Sequence, residues 1–215
     1  MGSTRIVRHF FKAHPWHGVS IGGHCPDELN VYIEIVPTDS VKYELDKETG
    51  LLKVDRPQRF SNVCPAHYGL APQTYCGEKT ASLFANRTGR RGIAGDGDPL
   101  DICVLTETSL THGDVLVRAI PIGGLSMIDG EEADDKIVAI MRGDAAYGSW
   151  RDLSDCPAAV LDKLKHYFLT YKQPPGETDY RCEIAGTYGR DEAHRVILAS
   201  NEDYKSQYPE ESRRT

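Results

Sequence analysis

The sequence predicts a mainly β protein of the α+β class whose strands close, or nearly close, into a barrel. Three observations predict this fold. Many short apolar runs are separated by turn-rich connections, several of these runs have the two-residue period of strands, and apolar residues recur at helical spacing only near the C-terminus. Because the 215 residues contain no repeat and no linker, we expect a single domain over residues 1–215.

The composition is that of a soluble globular protein. Hydrophobic residues make up 40% of the chain and charged residues 27%, with a net charge of −7. Such an acidic chain is not expected to bind nucleic acid or anionic membranes in general. No apolar run approaches the ~20 residues of a membrane span, and no secretory signal is evident at the N-terminus. We therefore expect a cytoplasmic protein with no nucleic-acid or membrane partner.

Residues 1–29 are predicted to form an irregular N-terminal arm, because proline and glycine residues interrupt any long element. A zinc site in this arm is one interpretation, and a plain arm is the other, since the histidine spacings match no familiar ligand pattern. The histidines concerned, beside Cys25, are His9, His14, His17 and His24. The six cysteines of the chain form no C-x-x-C pair, which favours reduced, mostly buried thiols.

The first predicted strand begins near residue 30. Val31, Ile33 and Ile35 share one face of it, and Glu34 points to the other. A charged residue on the non-core face of a strand is, taken by itself, expected to be exposed to solvent.

A β-hairpin is predicted next. Alternating residues 41–45 form its first strand, residues 46–50 turn, and residues 52–56 form its second strand. Lys42 and Glu44 lie on the non-core face, and each by itself would be an ordinary solvent-facing residue.

Residues 70–95 contain few large apolar side chains, and we interpret 72–95 as an insertion loop. Its basic residues Arg87, Arg90 and Arg91 are expected to be solvated rather than to form a binding patch.

Further short strands are predicted at residues 102–105, 115–120 and 137–141, with a second acidic loop at 129–136. This series of strands is the main argument for a closed barrel.

Helical spacing begins at Pro157, which suits the first turn of a helix. The apolar residues that repeat at three-four spacing are Val160, Leu161, Leu164 and Phe168, and Pro174-Pro175-Gly176 would end the helix. A strand over 180–185 and a last helix around Ala193, Val196 and Ile197 follow.

The acidic turn at residues 95–102 is the stretch that most strongly indicates chemistry. It holds Asp96, Asp98 and Asp101, and Gly97 and Pro99 favour a turn there. Carboxylates folded toward one point repel each other, so a cation is needed to offset their charge. Oxygen ligands alone select a hard ion, magnesium or calcium.

The acidic turn has two other interpretations. One is a solvated acidic loop, which is common for Asp/Gly/Pro clusters. The other is an EF-hand calcium loop starting at Asp96, which fails because Leu100 stands at position five and Asp101 replaces the glycine of position six.

The rest of the chain supplies cations and phenols that suit phosphate chemistry, namely Lys42, Arg56, Lys172, Tyr68 and Tyr171. Metal ions together with phosphate-binding cations suit phosphoryl transfer, in which the protein positions groups and neutralises charge. Neither G-x-x-x-x-G-K-[ST] nor G-x-G-x-x-G is present, so a nucleotide is not the obvious substrate.

The hexapeptide 96–101, Asp-Gly-Asp-Pro-Leu-Asp, resembles the signature of the soluble inorganic pyrophosphatases of the magnesium-dependent, barrel-fold class (family I). The resemblance covers roughly residues 27–172, in the same order along the chain. The other segments that carry it are the strand 31–35, the hairpin 42–56, and residues 65–69, 129–136 and 166–172.

The resemblance implies an OB-like five-stranded β-barrel with flanking C-terminal helices, forming a single catalytic domain. It implies hydrolysis of inorganic pyrophosphate to two orthophosphates by a metal-activated water, and a homo-oligomer. Several Mg²⁺ ions would bind in each active site, with Mn²⁺ or Zn²⁺ as substitutes. A water between two such ions has a lowered pKa, which suits the expected chemistry.

The resemblance also implies a role for each residue that matches the family pattern. Asp96, Asp101 and Asp134 would ligate the tightest magnesium ion, and Asp101 would be shared with a second. Asp129 and Glu34 would hold further ions, Asp98 would be the general base, and Glu44 would be a supporting acidic residue. The phosphates would be bound by Lys42, Arg56, Tyr68, Lys136, Tyr171 and Lys172.

The sequence departs from the family in three places. Cys64 stands where many members have a tyrosine, residues 72–95 are longer than the link in compact bacterial members, and the arm and the region after Gly176 give little to match.

Two other functions remain open from the sequence. One is magnesium-dependent hydrolysis of a nucleoside or sugar diphosphate, which needs an aromatic or apolar wall that no segment plainly supplies. The other is an OB-type module for single-stranded nucleic acid, which needs a basic groove where this chain has acidic loops.

Overall fold

The computed structural model describes residues 12–58, 60–173, 176 and 182–213. The strands in chain order are β1 (Leu29–Ile35), β2 (Val41–Leu45), β3 (Leu52–Pro57), β4 (His67–Leu70), β5 (Ala94–Gly95), β6 (Asp101–Leu105), β7 (Val115–Asp129), β8 (Glu132–Ala133), β9 (Lys136–Met141) and β10 (Cys182–Gly189). The α-helices are α1 (Glu78–Thr88), α2 (Ala158–Thr170) and α3 (Arg190–Gln207), and short 3₁₀ helices occur at Leu153–Asp155 and Glu211–Arg213.

Five strands form a ring, as the sequence predicts. β1 pairs with β4, β4 with β6, β6 with β9 and β9 with β7, and β7 returns to pair with β1. Most of these pairs are antiparallel, but β6 and β9 are parallel, with Asp101 opposite Lys136. The prediction of a mainly β, five-stranded barrel is confirmed.

The alternation of side chains along the strands divides the core between two faces. In β6, Ile102 and Val104 pack in one cluster with Val196 and Ile197 of α3. Cys103 and Leu105 pack in a second cluster, which includes Leu164 and Phe168 of α2. Both predicted C-terminal helices are therefore present, and each covers one set of barrel side chains.

The hairpin is formed by β2 and β3, which pair antiparallel in a sheet of their own. Lys42 lies opposite Arg56, so the two predicted phosphate-binding cations are neighbours across the hairpin. Gly50 in the connecting turn has a φ of 72°, a value that glycine adopts without strain. The prediction of this hairpin is confirmed.

The interpretation of residues 72–95 as a loop is wrong for Glu78–Thr88, which form the helix α1. The carboxylate of Asp203 on α3 accepts hydrogen bonds from the backbone N–H groups of Gly77, Lys79 and Thr80, and so satisfies the first turn of the helix. Phe84 is fully buried. Nor is Arg87 solvated, since only 15% of its side chain is exposed.

Two other boundaries differ from the predicted ones. The run predicted as a strand over 115–120 continues to Asp129, because β7 exchanges partners along its length, from β1 to β9, β8 and β10. The strand predicted over 180–185 is observed as Cys182–Gly189. Residues 180 and 181 lie outside the described residues, as do Pro174 and Pro175.

The described part of the N-terminal arm contains no helix or strand between residues 12 and 28. It packs against the domain through Trp16, whose indole stacks on His17, and His17 Nδ1 lies 2.8 Å from the Tyr204 hydroxyl. Among the described residues, no group of three His, Cys, Asp or Glu side chains is arranged to hold a metal ion. His9 of the suggested zinc cluster lies outside them.

All six cysteines are free thiols, and all except the partly buried Cys25 are buried, as the sequence predicts. Within the described ranges, no helix is both long enough and apolar enough to cross a bilayer.

Candidate active site

A small polar cleft opens where the acidic turn, the loop after β7 and the end of α2 meet. Its volume is about 190 Å³. The charged residues that line it are Lys42, Asp96, Asp98, Asp101, Asp129, Glu132, Asp134, Lys136 and Lys172, and the aromatic residues are Tyr68, Tyr167, Phe168 and Tyr171. A second, adjoining pocket is lined by Glu34 and Glu44. Arg56 is the one predicted site residue that lines neither, and it lies beside Lys42.

The acidic turn is held in place by the segment that precedes α1. The backbone of Cys76 donates to the Asp98 carbonyl at 2.8 Å and accepts from Gly97 N–H at 3.0 Å. Within the turn, Asp98 N–H donates to the Asp96 carboxylate at 2.9 Å, and Gly97 has a φ of 73°. These contacts fix the directions of the aspartates before any ligand binds.

Lys136 is the cation at the centre of the carboxylates. Its ammonium donates to Asp101 at 2.5 Å and to Asp134, and the side chain is 2% exposed. Burial alone would lower the pKa of Lys136, but Asp101 and Asp134 outweigh burial and raise the pKa well above its ordinary value. The parallel register of β6 and β9 creates this contact, because it sets Asp101 directly opposite Lys136.

The carboxylates exceed the positive charge that Lys136 supplies. Burial, followed by repulsion from Asp134, raises the pKa of Asp96 to about 8. Part of this shift is repulsion from a neighbouring carboxylate, which a bound cation would offset. As they stand, the carboxylates contact Lys136 rather than enclosing an ion site, but their oxygen atoms and excess charge fit a hard divalent cation. Asp96, Asp101 and Asp134 are the residues that would hold it.

Glu34 is buried, so the interpretation of it as a solvent-facing strand residue is wrong. The residue is 6% exposed, and its Oε1 accepts a hydrogen bond from Leu45 N–H at 2.6 Å. Burial, with repulsion from Asp101 and Glu44, raises the pKa of Glu34 to about 8. The hairpin covers the second face of β1, which two-residue periodicity in β1 alone could not reveal.

The raised pKa of Glu34 predicts a pH-dependent stability for the metal-free protein. Its carboxyl ionises near pH 4.5 in the unfolded chain and near pH 8 in the folded one, so the folded state holds the extra proton between these values. Stability should therefore fall as the pH rises through this window and level off above it. We expect the melting temperature in chelator to fall more between pH 5 and pH 8.5 in the wild type than in Glu34→Gln. Equal pH slopes for the two proteins would contradict this origin.

Cations line the mouth of the cleft, each beside a carboxylate. Lys42 lies 3.1 Å from Asp55, whose carboxylate also accepts from Arg56 at 2.5 Å. Lys172 is paired with Asp129. Lys42 and Lys172 thus line the cleft and Arg56 lies beside Lys42, with each of the three cations paired to a carboxylate.

The two tyrosines of the predicted site are hydrogen-bond donors rather than anions. Burial and the Asp101 and Asp134 carboxylates raise the pKa of Tyr68 well above its ordinary value. Burial also raises the pKa of Tyr171, which is 9% exposed. Both phenols therefore keep their protons at neutral pH and suit donation to phosphate oxygens.

Several residues at the site have no signal in the sequence. Lys47 lies in the hairpin turn, and its ammonium pairs with Asp98. Asp55 joins Lys42 to Arg56, and Glu132 lines the cleft. Local pattern assigns Lys47 to a turn and Glu132 to an acidic loop, and only the folded chain shows what they contact.

Cys64 does not line the cleft. It is 1% exposed and packs in the cluster that contains Tyr167, and burial raises the pKa of its thiol to about 12. The cysteine at this position is therefore a protonated core residue, and it leaves the charged groups of the cleft untouched.

The comparisons with known proteins agree on one family. A family model described as inorganic pyrophosphatase matches residues 31–205. The inorganic pyrophosphatase of Chlamydia trachomatis serovar L2 is 54% identical over 196 residues, covering 89% of this chain and 94% of that protein. The soluble inorganic pyrophosphatase of Zea mays is 39% identical over 170 residues, covering 79% of this chain and 71% of that protein. The solved inorganic pyrophosphatase of Helicobacter pylori superposes with a TM-score of 0.71 at 31% identity, covering 87% of this chain and 98% of that one.

Proposed function

We propose a division of roles within the cleft from the premise that the chain belongs to the inorganic pyrophosphatase family and hydrolyses pyrophosphate to two phosphates. In this proposal the metal is magnesium, held by Asp96, Asp101 and Asp134. The observation that carries it is the excess of carboxylates over ammonium groups in the cleft, where Lys136 contacts both Asp101 and Asp134. Bound magnesium would supply positive charge to the phosphate oxygens and lower the pKa of the attacking water.

Asp98 is the proposed general base. It lies between Asp96 and Asp101 in a turn whose backbone is fixed by Cys76, and its side chain is 43% exposed, so water reaches it. Asp98 would take the proton of the attacking water while Asp129 and Glu34 hold further cations that enter with substrate. Glu44 would support this acidic side of the site.

The remaining polar residues are proposed to bind the substrate phosphates. Lys42, Arg56, Lys136 and Lys172 would neutralise the charge that develops on the leaving phosphate. Tyr68 and Tyr171, as uncharged phenols, would donate hydrogen bonds to the phosphate oxygens. The carboxylates that these cations now contact would release them when phosphate oxygens and metal ions enter together.

The size of the cleft favours pyrophosphate over a nucleoside diphosphate. Its volume of about 190 Å³ is below the ≈ 300–1,000 Å³ of clefts that enclose drug-sized ligands. The aromatic residues of the cleft pack on each other, with Tyr167 stacked on Tyr171 at 5.2 Å and Phe168 edge-on to Tyr171. The aromatic side chains of the cleft wall are therefore already stacked on one another.

The test of this proposal is substrate selectivity. We expect phosphate release from pyrophosphate at least about 100-fold faster than from ATP at equal concentration with magnesium, since the cleft is smaller than those that enclose drug-sized ligands. The measurement is an orthophosphate assay with both substrates at matched free magnesium. Comparable rates for the two would overturn the assignment of the cleft to pyrophosphate and favour the nucleoside diphosphate alternative.

We also propose that the protein acts as a homo-oligomer in the cytoplasm, supported by the resemblance in sequence and by free, mostly buried thiols. Sedimentation at several protein concentrations tests the assembly.

A further inference from the structure

We propose that Arg87 of α1 is a positioning residue for the active site, acting through the buried carboxylate of Asp135. The proposal rests on the roles given above to Asp134 and Lys136, which flank Asp135 in the chain. The proposal gives a function to α1, which lies in the segment 72–95 that the sequence predicts to be an insertion loop.

The guanidinium of Arg87 is engaged at all three nitrogens. Nη2 donates to both carboxylate oxygens of Asp135, at 2.6 and 2.8 Å, Nη1 donates to Glu192 at 2.9 Å, and Nε donates to the Ser126 hydroxyl at 2.9 Å. The guanidinium also lies 4.4 Å from the centre of the Tyr188 ring. These charge-assisted hydrogen bonds are strong, and Glu192 and Ser126 hold the other two nitrogens in place, so Arg87 holds Asp135 in one geometry.

Asp135 is held on the side of the loop that faces away from the cleft. Asp134 and Lys136 line the cleft, whereas Asp135 does not and is only 5% exposed. Successive side chains of extended backbone point in opposite directions. Fixing Asp135 from behind therefore sets the directions in which Asp134 and Lys136 enter the site.

The helix that carries Arg87 is attached to the same loop by apolar packing. Phe84 of α1 packs with Ile128 and Ala133, which precede Asp134 on β7 and β8. The Arg87 guanidinium lies 5.3 Å from the Phe84 ring. α1 thus contacts the loop through both a charged pair and a hydrophobic cluster, which makes it part of the support of the site.

Glu192 offers a matched control. It contacts the same guanidinium from α3 and is also mostly buried, at 14% side-chain exposure, but it lies outside the loop and does not line the cleft. Asp135→Asn and Glu192→Gln each remove one carboxylate charge from Arg87. Only the first weakens the contact that holds the loop.

The experiment compares Arg87→Lys, Arg87→Met, Asp135→Asn and Glu192→Gln in the full chain, well below each melting temperature. We expect the Arg87 and Asp135 variants to need at least about tenfold more magnesium for half-maximal activity, with part of the rate recovered at high magnesium. Glu192→Gln should retain the wild-type magnesium requirement, even if its melting temperature falls. In the double variant Arg87→Met/Asp135→Asn the effect should not exceed the larger single effect, because both act through one contact.

The alternative is that Arg87 only stabilises the fold. In that case the variants lower the melting temperature and the active fraction, while the magnesium requirement and the KM of the folded enzyme stay at wild-type values, and the proposal fails. Should Arg87→Met not fold, the conservative Arg87→Lys and the Asp135→Asn variants decide the question. Wild-type activity without magnesium would instead overturn the proposed metal, an outcome visible before any variant is made.

Discussion

Asp98→Asn is expected to lower kcat by about 10²–10⁴-fold at every magnesium concentration, because a lost general base costs on the order of this factor. The amide keeps the size of the side chain and the backbone contacts of the turn, so metal binding by Asp96 and Asp101 should change little. The pH dependence of kcat should change as well, since the attacking water must then lose its proton without a base. The measurement is a magnesium titration of pyrophosphate hydrolysis at several pH values.

Two controls separate the base from its neighbours. Asp101→Asn replaces a charged proposed ligand, so its magnesium affinity should fall and extra magnesium should restore part of its rate. Lys47→Gln removes the ion pair with Asp98 and leaves the carboxylate, and it should cost less than about tenfold, as expected for a half-exposed pair. If high magnesium rescues Asp98→Asn and leaves Asp101→Asn inactive, the assignment of base and ligand is reversed.

Removal of divalent metal is expected to abolish turnover. Without it, the cleft presents six acidic side chains and three lysines to an anionic substrate, namely Asp96, Asp98, Asp101, Asp129, Glu132, Asp134 and Lys42, Lys136, Lys172. The substrate would meet net repulsion, and the attacking water would keep its ordinary pKa. Protein dialysed against chelator should release phosphate at the background rate and recover when magnesium is added.

Monovalent salt at matched ionic strength is the control for the metal experiment, because it screens charge without binding at carboxylates. Parallel additions of Mn²⁺ and Zn²⁺ identify the preferred ion. Full turnover in metal-free buffer would rule out the proposed mechanism.

The sequence predicted the features that depend on neighbours along the chain. The two-residue period and a five-residue turn located the β2–β3 hairpin, and three aspartates around a glycine located the acidic turn. Both patterns lie within a short stretch of consecutive residues, so the sequence alone identifies them. The burial of Glu34 could not be predicted in this way, because it depends on how the hairpin is placed against β1.

The helix α1 was missed for a different reason. Its buried residues are few, Thr80, Ala81 and Phe84, and so they form no strong apolar stripe. The N–H groups of its first turn donate to Asp203, more than a hundred residues away in sequence, and the side chain of Arg87 in its last turn contacts Asp135, 48 residues away. Lys47 likewise meets Asp98 across 51 residues. Such contacts leave no local pattern.

The parallel pairing of β6 and β9 has a consequence for how the chain tolerates changes in length. Asp101 and Lys136 are the first residues of their strands, so the site stands at one end of the pair and the segments after Leu105 and Met141 leave from the other. Removing one residue inside either strand would exchange its two faces and send Lys136 or Asp101 away from its partner. Residues added between Leu105 and Val115 would lengthen a connection at the far end and leave the pair intact. We therefore expect insertions to be tolerated at the end of the strand pair remote from Lys136, and to disrupt the site when they fall within β6 or β9.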